Sequence, residues 1–235
     1  ISNFYIRGAM REHSFITNYL KNPYSSVLSV SGNTKVITAL SLDMKVPPHV
    51  KSGGWLTAEY SLLPGSTNVR SARERSKISG RTAEIQRLIG RSLRMAVDLE
   101  KIPGITMLID CDVLEADGGT RTASVNGGML AVAIACKKLV DEGVVPENPL
   151  KNWIGAISGG VIDGKVVMDL DYEKDSRADT DFNFVFSENG NIIELQGTAE
   201  RVPLDDTKFF ELLNESRVCV KDIIAEMKST AGFAK

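Results

Sequence analysis

Histidine is scarce: His13 and His49 are the only two in the 235-residue chain. Two scattered imidazoles cannot build a metal cage or a nucleophile-base triad. Cysteine is scarce too. Cys111, Cys136 and Cys219 are odd in number and lack metal-ligand spacing, so neither a zinc site nor a disulfide framework is expected. A reducing cytoplasm is the expected compartment. Long apolar runs are missing. The longest, 129–136, falls far short of the roughly 20 residues that cross a bilayer. No secretory-signal pattern is visible. A net charge of -2 does not mark a nucleic-acid binder. There is no nucleophile elbow, no Walker loop and no HExxH.

What is present suits one large domain or two small ones with a real core: 43% hydrophobic and 25% charged residues. The small net charge hides two opposed segments. Residues 70–94 carry eight Lys or Arg against Glu74 and Glu84, near +6, while 163–181 are near -4. That pairing suits a protein that handles polyanions with metal help.

Taken in order, residues 1–22 are mixed. Residues 25–31 and 34–42 spell a hairpin around Gly32-Asn33. Residues 46–54, with Pro47, Pro48, Gly53 and Gly54, are a loop, and 55–63 a strand. Residues 66–80 are a polar, arginine-rich loop. The spacing of Ile85, Leu88, Ile89, Ser92, Leu93, Ala96 and Val97 predicts a helix over 82–99. Residues 105–113 alternate as a strand, and a helix runs on to about 142. Gly127-Gly128 within it implies close approach of another backbone. A hairpin over 154–162 and 165–171 turns at Asp163-Gly164. Strands at 180–186, with Phe182, Phe184 and Phe186 on one face, and at 192–196 come next. A last helix over 206–228, capped by Asp205 or Asp206, offers Phe209, Phe210, Leu213, Val220, Ile223, Ile224 and Met227 to the core. The tail to Lys235 reads as frayed. The tally is two blocks of an α+β or mixed α/β fold, with helices packed on antiparallel-rich sheets, and the blocks could be two similar halves. It is unlike a Rossmann sheet, whose strands and helices alternate.

The centre of the chain is Asp117-Gly118-Gly119-Thr120-Arg121-Thr122-Ala123-Ser124. Two glycines allow a tight turn and close approach to a ligand. Thr122 or Ser124 could cap the new helix. Free N–H groups at a helix start attract an anion, and the Arg121 fork matches a phosphate. These residues read equally well as an ordinary strand-to-helix turn with a surface arginine. Asp175 and Asp181 flank a loop between two strands. Such a pair can hold a hard cation such as Mg²⁺ or move a proton, and it also fits a solvated Asp-rich turn. Together with the helix start at Ser79-Gly80-Arg81-Thr82, the three segments fit phosphoryl transfer better than nucleophilic hydrolysis.

The run 79–94, Asp110-Cys111-Asp112-Val113, the central stretch 116–124, Asp169-Leu170-Asp171-Tyr172-Glu173-Lys174-Asp175-Ser176 and Glu194-Leu195-Gln196-Gly197-Thr198-Ala199-Glu200 together resemble bacterial ribonuclease PH, in order over about 24–228. The resemblance implies a single ribonuclease PH domain over 1–235, with halves of about 1–149 and 150–235, each resembling the second domain of ribosomal protein S5. It implies a phosphate-dependent 3′-to-5′ exoribonuclease that trims tRNA 3′ ends and releases nucleoside diphosphates. It puts phosphate on Arg81, Gly119, Thr120 and Arg121, catalysis and Mg²⁺ on Asp175 and Asp181, and tRNA on Arg70 and Arg73. It implies a homo-hexamer, a trimer of dimers. The sequence departs from the family at 1–10, where the usual basic segment is not recognisable, and near Lys51, where a loop is shortened. A non-catalytic RNA-binding ring subunit and a metal-dependent RNA hydrolase are the rival readings.

Overall fold

The computed structural model describes residues 10–233. The missing basic segment at 1–10 therefore lies almost wholly outside the described residues. Nine strands and four helices run β1 (His13–Thr17), β2 (Ser25–Ser31), β3 (Thr34–Asp43), β4 (Trp55–Leu62), α1 (Gly80–Arg94), β5 (Thr106–Glu115), α2 (Thr120–Asp141), β6 (Ile154–Ile162), β7 (Lys165–Met168), α3 (Tyr172–Arg177), β8 (Thr180–Ser187), β9 (Ile192–Ala199) and α4 (Asp206–Thr230). They form a five-stranded sheet, β1-β2-β3-β5-β4, and a four-stranded sheet, β7-β6-β8-β9. Every pairing is antiparallel except β4 with β5, which α1 connects as a crossover. The fold is thus mixed α+β, as the alternation of apolar residues predicts.

The middle of the fold is α2. It lies against β2 and β3 on one side and β6 and β8 on the other. By length and composition it could cross a membrane, although its longest uninterrupted apolar run is short. Here both sheets cover it, which is the usual fate of a core helix. Its two mid-helix glycines earn their place through side chains rather than a neighbouring backbone. A β-carbon at Gly127 would press on Thr38 and Ser29, and one at Gly128 on Leu93 of α1. Removing them would push the helix off the sheet.

Several expectations are corrected. Helix α1 ends at Arg94, not 99, because the chain unwinds to bond the connection after α2. The Ala96 carbonyl accepts from the Lys151 N–H at 2.7 Å, and Val97 bridges Leu150. Ala96 and Val97 stay buried even so. Strand β7 stops at Met168, since Asp169 turns into the left-handed region (φ 57°). Phe210 is exposed. The stripe on α4 runs through Leu212, Leu213, Val220, Ile223, Ile224 and Met227, and a residue one step from Phe209 lies about 100° round the helix. At the end of the chain the Phe233 ring meets Trp153 edge-on at 5.5 Å, and the last two residues of the tail read as frayed lie outside the described residues. The mixed N-terminal region contains β1, paired with β2.

Candidate active site

Strand β5 delivers the chain to Asp117, and the two glycines that follow adopt φ 75° and 67°. The left-handed region favours glycine, and space demands it as well. A β-carbon on Gly118 would collide with the Leu170 carbonyl and the Asp171 backbone, and one on Gly119 would lie 2.9 Å from Arg11 Nη2. Thr34 Oγ1 donates to the Gly118 carbonyl at 2.6 Å and accepts from the Asp117 N–H at 2.9 Å. The turn is held from both sides before α2 begins.

No side chain caps α2; Gly119 stands at the cap position. Thr122 and Ser124, the sequence candidates, instead donate their hydroxyls to the Gly119 and Thr120 carbonyls at 2.9 and 2.8 Å. The first-turn N–H groups therefore keep their donor capacity and the positive end of the helix dipole. Thr120 Oγ1 lies 2.9 Å from the buried Tyr60 hydroxyl.

Helix α1 starts with a built cap. Ser79 Oγ accepts from the Thr82 N–H at 3.1 Å, and Glu74 accepts from the Ser79 N–H and the Thr82 hydroxyl. Those hydrogen bonds hold the Glu74 carboxyl below its usual range. Arg81, in the first turn, is exposed toward the cavity described below. Arg121 is oriented by α1 and β9. Its Nη2 lies 3.1 Å from Glu84 Oε2, and Nη1 donates to Gln196 Oε1 at 3.4 Å.

Asp175 does not sit in a loop. It lies on α3, whose cap Asp171 accepts from the Lys174 N–H at 2.8 Å. Burial raises the Asp175 carboxyl above its usual range. The charge of Asp181 adds to this, against the opposing pull of Arg81 and Arg121. Asp181, early on β8, has a buried Oδ1 without a hydrogen-bond partner among the described residues. An unpartnered buried carboxylate oxygen is costly and fits a site completed by a ligand. Among the described residues no cluster of three or more His, Cys, Asp or Glu forms. Two carboxylates are the donor set expected for Mg²⁺, which keeps waters and shares phosphate oxygens.

One cavity of about 830 Å³ is lined by Arg81, Gly119, Thr120, Arg121, Asp175 and Asp181. All six residues singled out for phosphate and metal chemistry therefore meet. Arg70 and Arg73 do not join them. They are exposed on the loop between β4 and α1, and Arg73 is close enough to Asp112 to pull its carboxyl downward against the rise that burial causes.

Sequence reasoning missed a buried ion cluster behind the glycine turn. Asp169, 2% exposed, accepts from Arg11 Nη2 at 2.6 Å and from the Arg11 N–H at 3.0 Å, and it meets His13 Nε2 at 3.0 Å. Arg11 Nη1 also donates to the Asp117 carbonyl at 2.7 Å. Burial works to raise the Asp169 carboxyl, but hydrogen bonds from His13 and Arg11 prevail and hold it at about 2. Asp169 lies 158 residues from Arg11 and 156 from His13 in sequence, so no local signal announces it.

Family models for the 3′ exoribonuclease family match the chain twice, domain 1 over residues 9–138 and domain 2 over 152–218. A ribonuclease PH of Syntrophomonas wolfei is 47% identical over 227 residues, covering 95% of each chain. A ribonuclease PH of Bacillus subtilis is 46% identical over 228 residues, covering 95% of this chain and 93% of its own. Among solved structures, rice Rrp46 superposes with a TM-score of 0.78 at 18% identity, covering 96% of this chain and 97% of its own. The Archaeoglobus fulgidus exosome with RNA bound to its active site gives 0.78 at 22%, with coverage of 92% and 88%. The last two are likenesses of fold.

Proposed function

The chain belongs to the ribonuclease PH family of phosphorolytic 3′-to-5′ exoribonucleases, a nucleotidyltransferase class, and from that premise we propose that it trims tRNA 3′ ends through the cavity between α1, α2, α3 and β8. The observation that carries the site assignment is the meeting of Arg81, the uncapped start of α2, Arg121, Asp175 and Asp181 in one space. Inorganic phosphate binds the two guanidinium groups and the N–H groups at Gly119, Thr120 and Arg121. Held there, one phosphate oxygen attacks the phosphorus of the last phosphodiester. A P–O bond forms to the attacking oxygen, the P–O3′ bond breaks, and the phosphate proton passes to O3′. The products are a nucleoside diphosphate and an RNA shortened by one residue. Fixing both reactants in line removes most of the entropic barrier.

Asp175 and Asp181 are the residues suited to hold Mg²⁺. When bound, the ion offsets charge that builds on the phosphoryl oxygens. Arg70 and Arg73, exposed on the loop between β4 and α1, grip the RNA backbone without reading its sequence. The two halves, about 1–149 and 150–235, act as one unit, because α2 touches both sheets and the cavity takes residues from both. The working assembly is a ring of six. The compartment is the reducing cytoplasm, which suits three buried free thiols.

The test is a 3′-extended tRNA incubated with and without phosphate. Shortening only with phosphate, with nucleoside diphosphate as product and a native-mass measurement at six protomers, is the expected result. Unstructured RNA degraded while the tRNA extension survives would refute the tRNA proposal. Monophosphate release without phosphate would favour the hydrolase, and binding without turnover the inert ring subunit.

A further inference from the structure

Three aromatic side chains line the cavity: Tyr60, Phe182 and Tyr172. Two of them are committed elsewhere. Tyr60 is buried with its hydroxyl at Thr120. Phe182 stacks on Phe184 at 5.6 Å and leans on Phe209 at 6.1 Å. Tyr172 is different. It is 59% exposed, takes no part in the hydrophobic core, and makes no aromatic pair or side-chain hydrogen bond among the described residues. Nothing structural accounts for a large ring at this rim.

Its backbone, by contrast, is fixed. The Tyr172 N–H donates to Asp117 Oδ1 at 3.3 Å, while Asp117 Oδ2 accepts from Asn33 at 3.0 Å. The preceding residue, Asp171, packs so closely on Gly118 that no β-carbon fits between them. Tyr172 therefore stands one residue from contact with the proposed phosphate turn. It also lies three residues before Asp175 on α3, and positions i and i+3 share a helix face. A free aromatic face thus lines the same cavity as the glycine turn and the acidic pair, where the scissile phosphorus would lie.

We propose that Tyr172 is the stacking platform for the base of the 3′-terminal nucleotide, the one that departs as a diphosphate. Any of the four bases has a π face, so this contact holds the RNA end without choosing its sequence. It rests on the phosphorolysis site proposed above and adds to it a residue that acts on the base rather than on the phosphates.

Steady-state turnover of the full chain, with excess phosphate, decides the matter. Tyr172→Ala is expected to raise KM for RNA by about 5- to 150-fold, the span that base stacking accounts for. KM for phosphate should stay within about twofold. Tyr172→Phe should restore the RNA KM. On RNA ending in an abasic ribonucleotide the wild type and Tyr172→Ala should become equal, whereas an abasic residue at the penultimate position should leave the difference intact. In the reverse reaction Tyr172→Ala should raise KM for the nucleoside diphosphate. An unchanged RNA KM overturns the proposal, as does an equal loss on normal and abasic ends, or a difference that vanishes with the penultimate base. If the wild type needed no phosphate, the site reading itself would fall instead. Because α3 lies at the surface, a thermal melt of each variant separates lost stacking from lost fold.

Discussion

Replacing Asp169 by Asn should cost this protein much of its stability and blunt its acid sensitivity at once. The carboxylate is 2% exposed and serves two partners far away in sequence, the Arg11 guanidinium and the His13 ring. Deleting one partner of a buried pair leaves the other charge uncompensated, a loss of about 3–5 kcal/mol. For a chain of this size each kcal/mol moves Tm by about 2–4 °C, so a drop of roughly 6–20 °C is expected at pH 7 and fixed protein concentration. The wild-type carboxyl falls from 3.8 unfolded to about 2 folded. A depressed folded value means stability that is present above the unfolded pKa and lost as pH falls through the folded one. At about 1.4 kcal/mol per unit, the pair contributes roughly 2.5 kcal/mol that disappears between about pH 4 and pH 2. Urea melts followed by tryptophan fluorescence from pH 2 to pH 7 would measure this. The gap between wild type and Asp169→Asn should be widest at neutral pH and should narrow below pH 4. A gap under about 1 kcal/mol at pH 7, or one that stays constant down to pH 2, would refute the argument.

Arg81→Ala and Arg121→Ala should each raise KM for phosphate by at least about tenfold, the scale of one charge-assisted contact, while RNA binding measured by filter retention survives. Phosphate saturation unchanged in both would reject the site. Asp181→Asn should lower turnover by about a hundredfold or more with no loss in Tm, because the replaced oxygen has no partner to lose; full activity would remove Asp181 from the mechanism. Gly118→Ala should cost about 1–3 kcal/mol of stability, from a left-handed backbone and a collision with the Leu170 carbonyl. A neutral melt there would mean that the turn can rearrange.

Legibility from sequence followed the range of the interactions. The hairpin at Gly32-Asn33 and the alternation in β5 are local patterns, and both appear in the structure nearly residue for residue. So does the meeting of the charged segments, since each lies where a strand gives way to a helix or the reverse. What the sequence hid depends on distant partners. Strand β1 carries no clean alternation; it exists because β2 offers it a ladder and α4 packs beside it. Helix α3 is six residues of mostly charged side chains, with no apolar stripe to reveal it, and it forms around the Asp171 cap. The early end of α1 is set by bonds to residues 149–152, which no local signal announces.

The near-zero net charge of the chain also takes on a meaning in the folded cavity. The cationic segment supplies Arg81 and the anionic one Asp175 and Asp181, and folding brings them to a common space. There burial raises the Asp175 carboxyl and the charge of Asp181 adds to the rise, while Arg81 and Arg121 pull against it. In the proposed site a phosphate entering alone would gain two guanidinium partners but meet two carboxylates, a repulsion that grows as the entering ion displaces water. A cation entering alone meets the reverse. Entry of both leaves each charge with an opposite neighbour. Phosphate and divalent cation should therefore bind with positive coupling, each tightening the other by the same factor. Titrating phosphate at increasing Mg²⁺ would show its dissociation constant falling. Asp181→Asn, with one carboxylate charge removed, should bind phosphate alone more tightly than wild type and respond less to the metal. Equal phosphate affinity in the two proteins at every Mg²⁺ concentration would mean that the acidic pair and the arginines do not share one field.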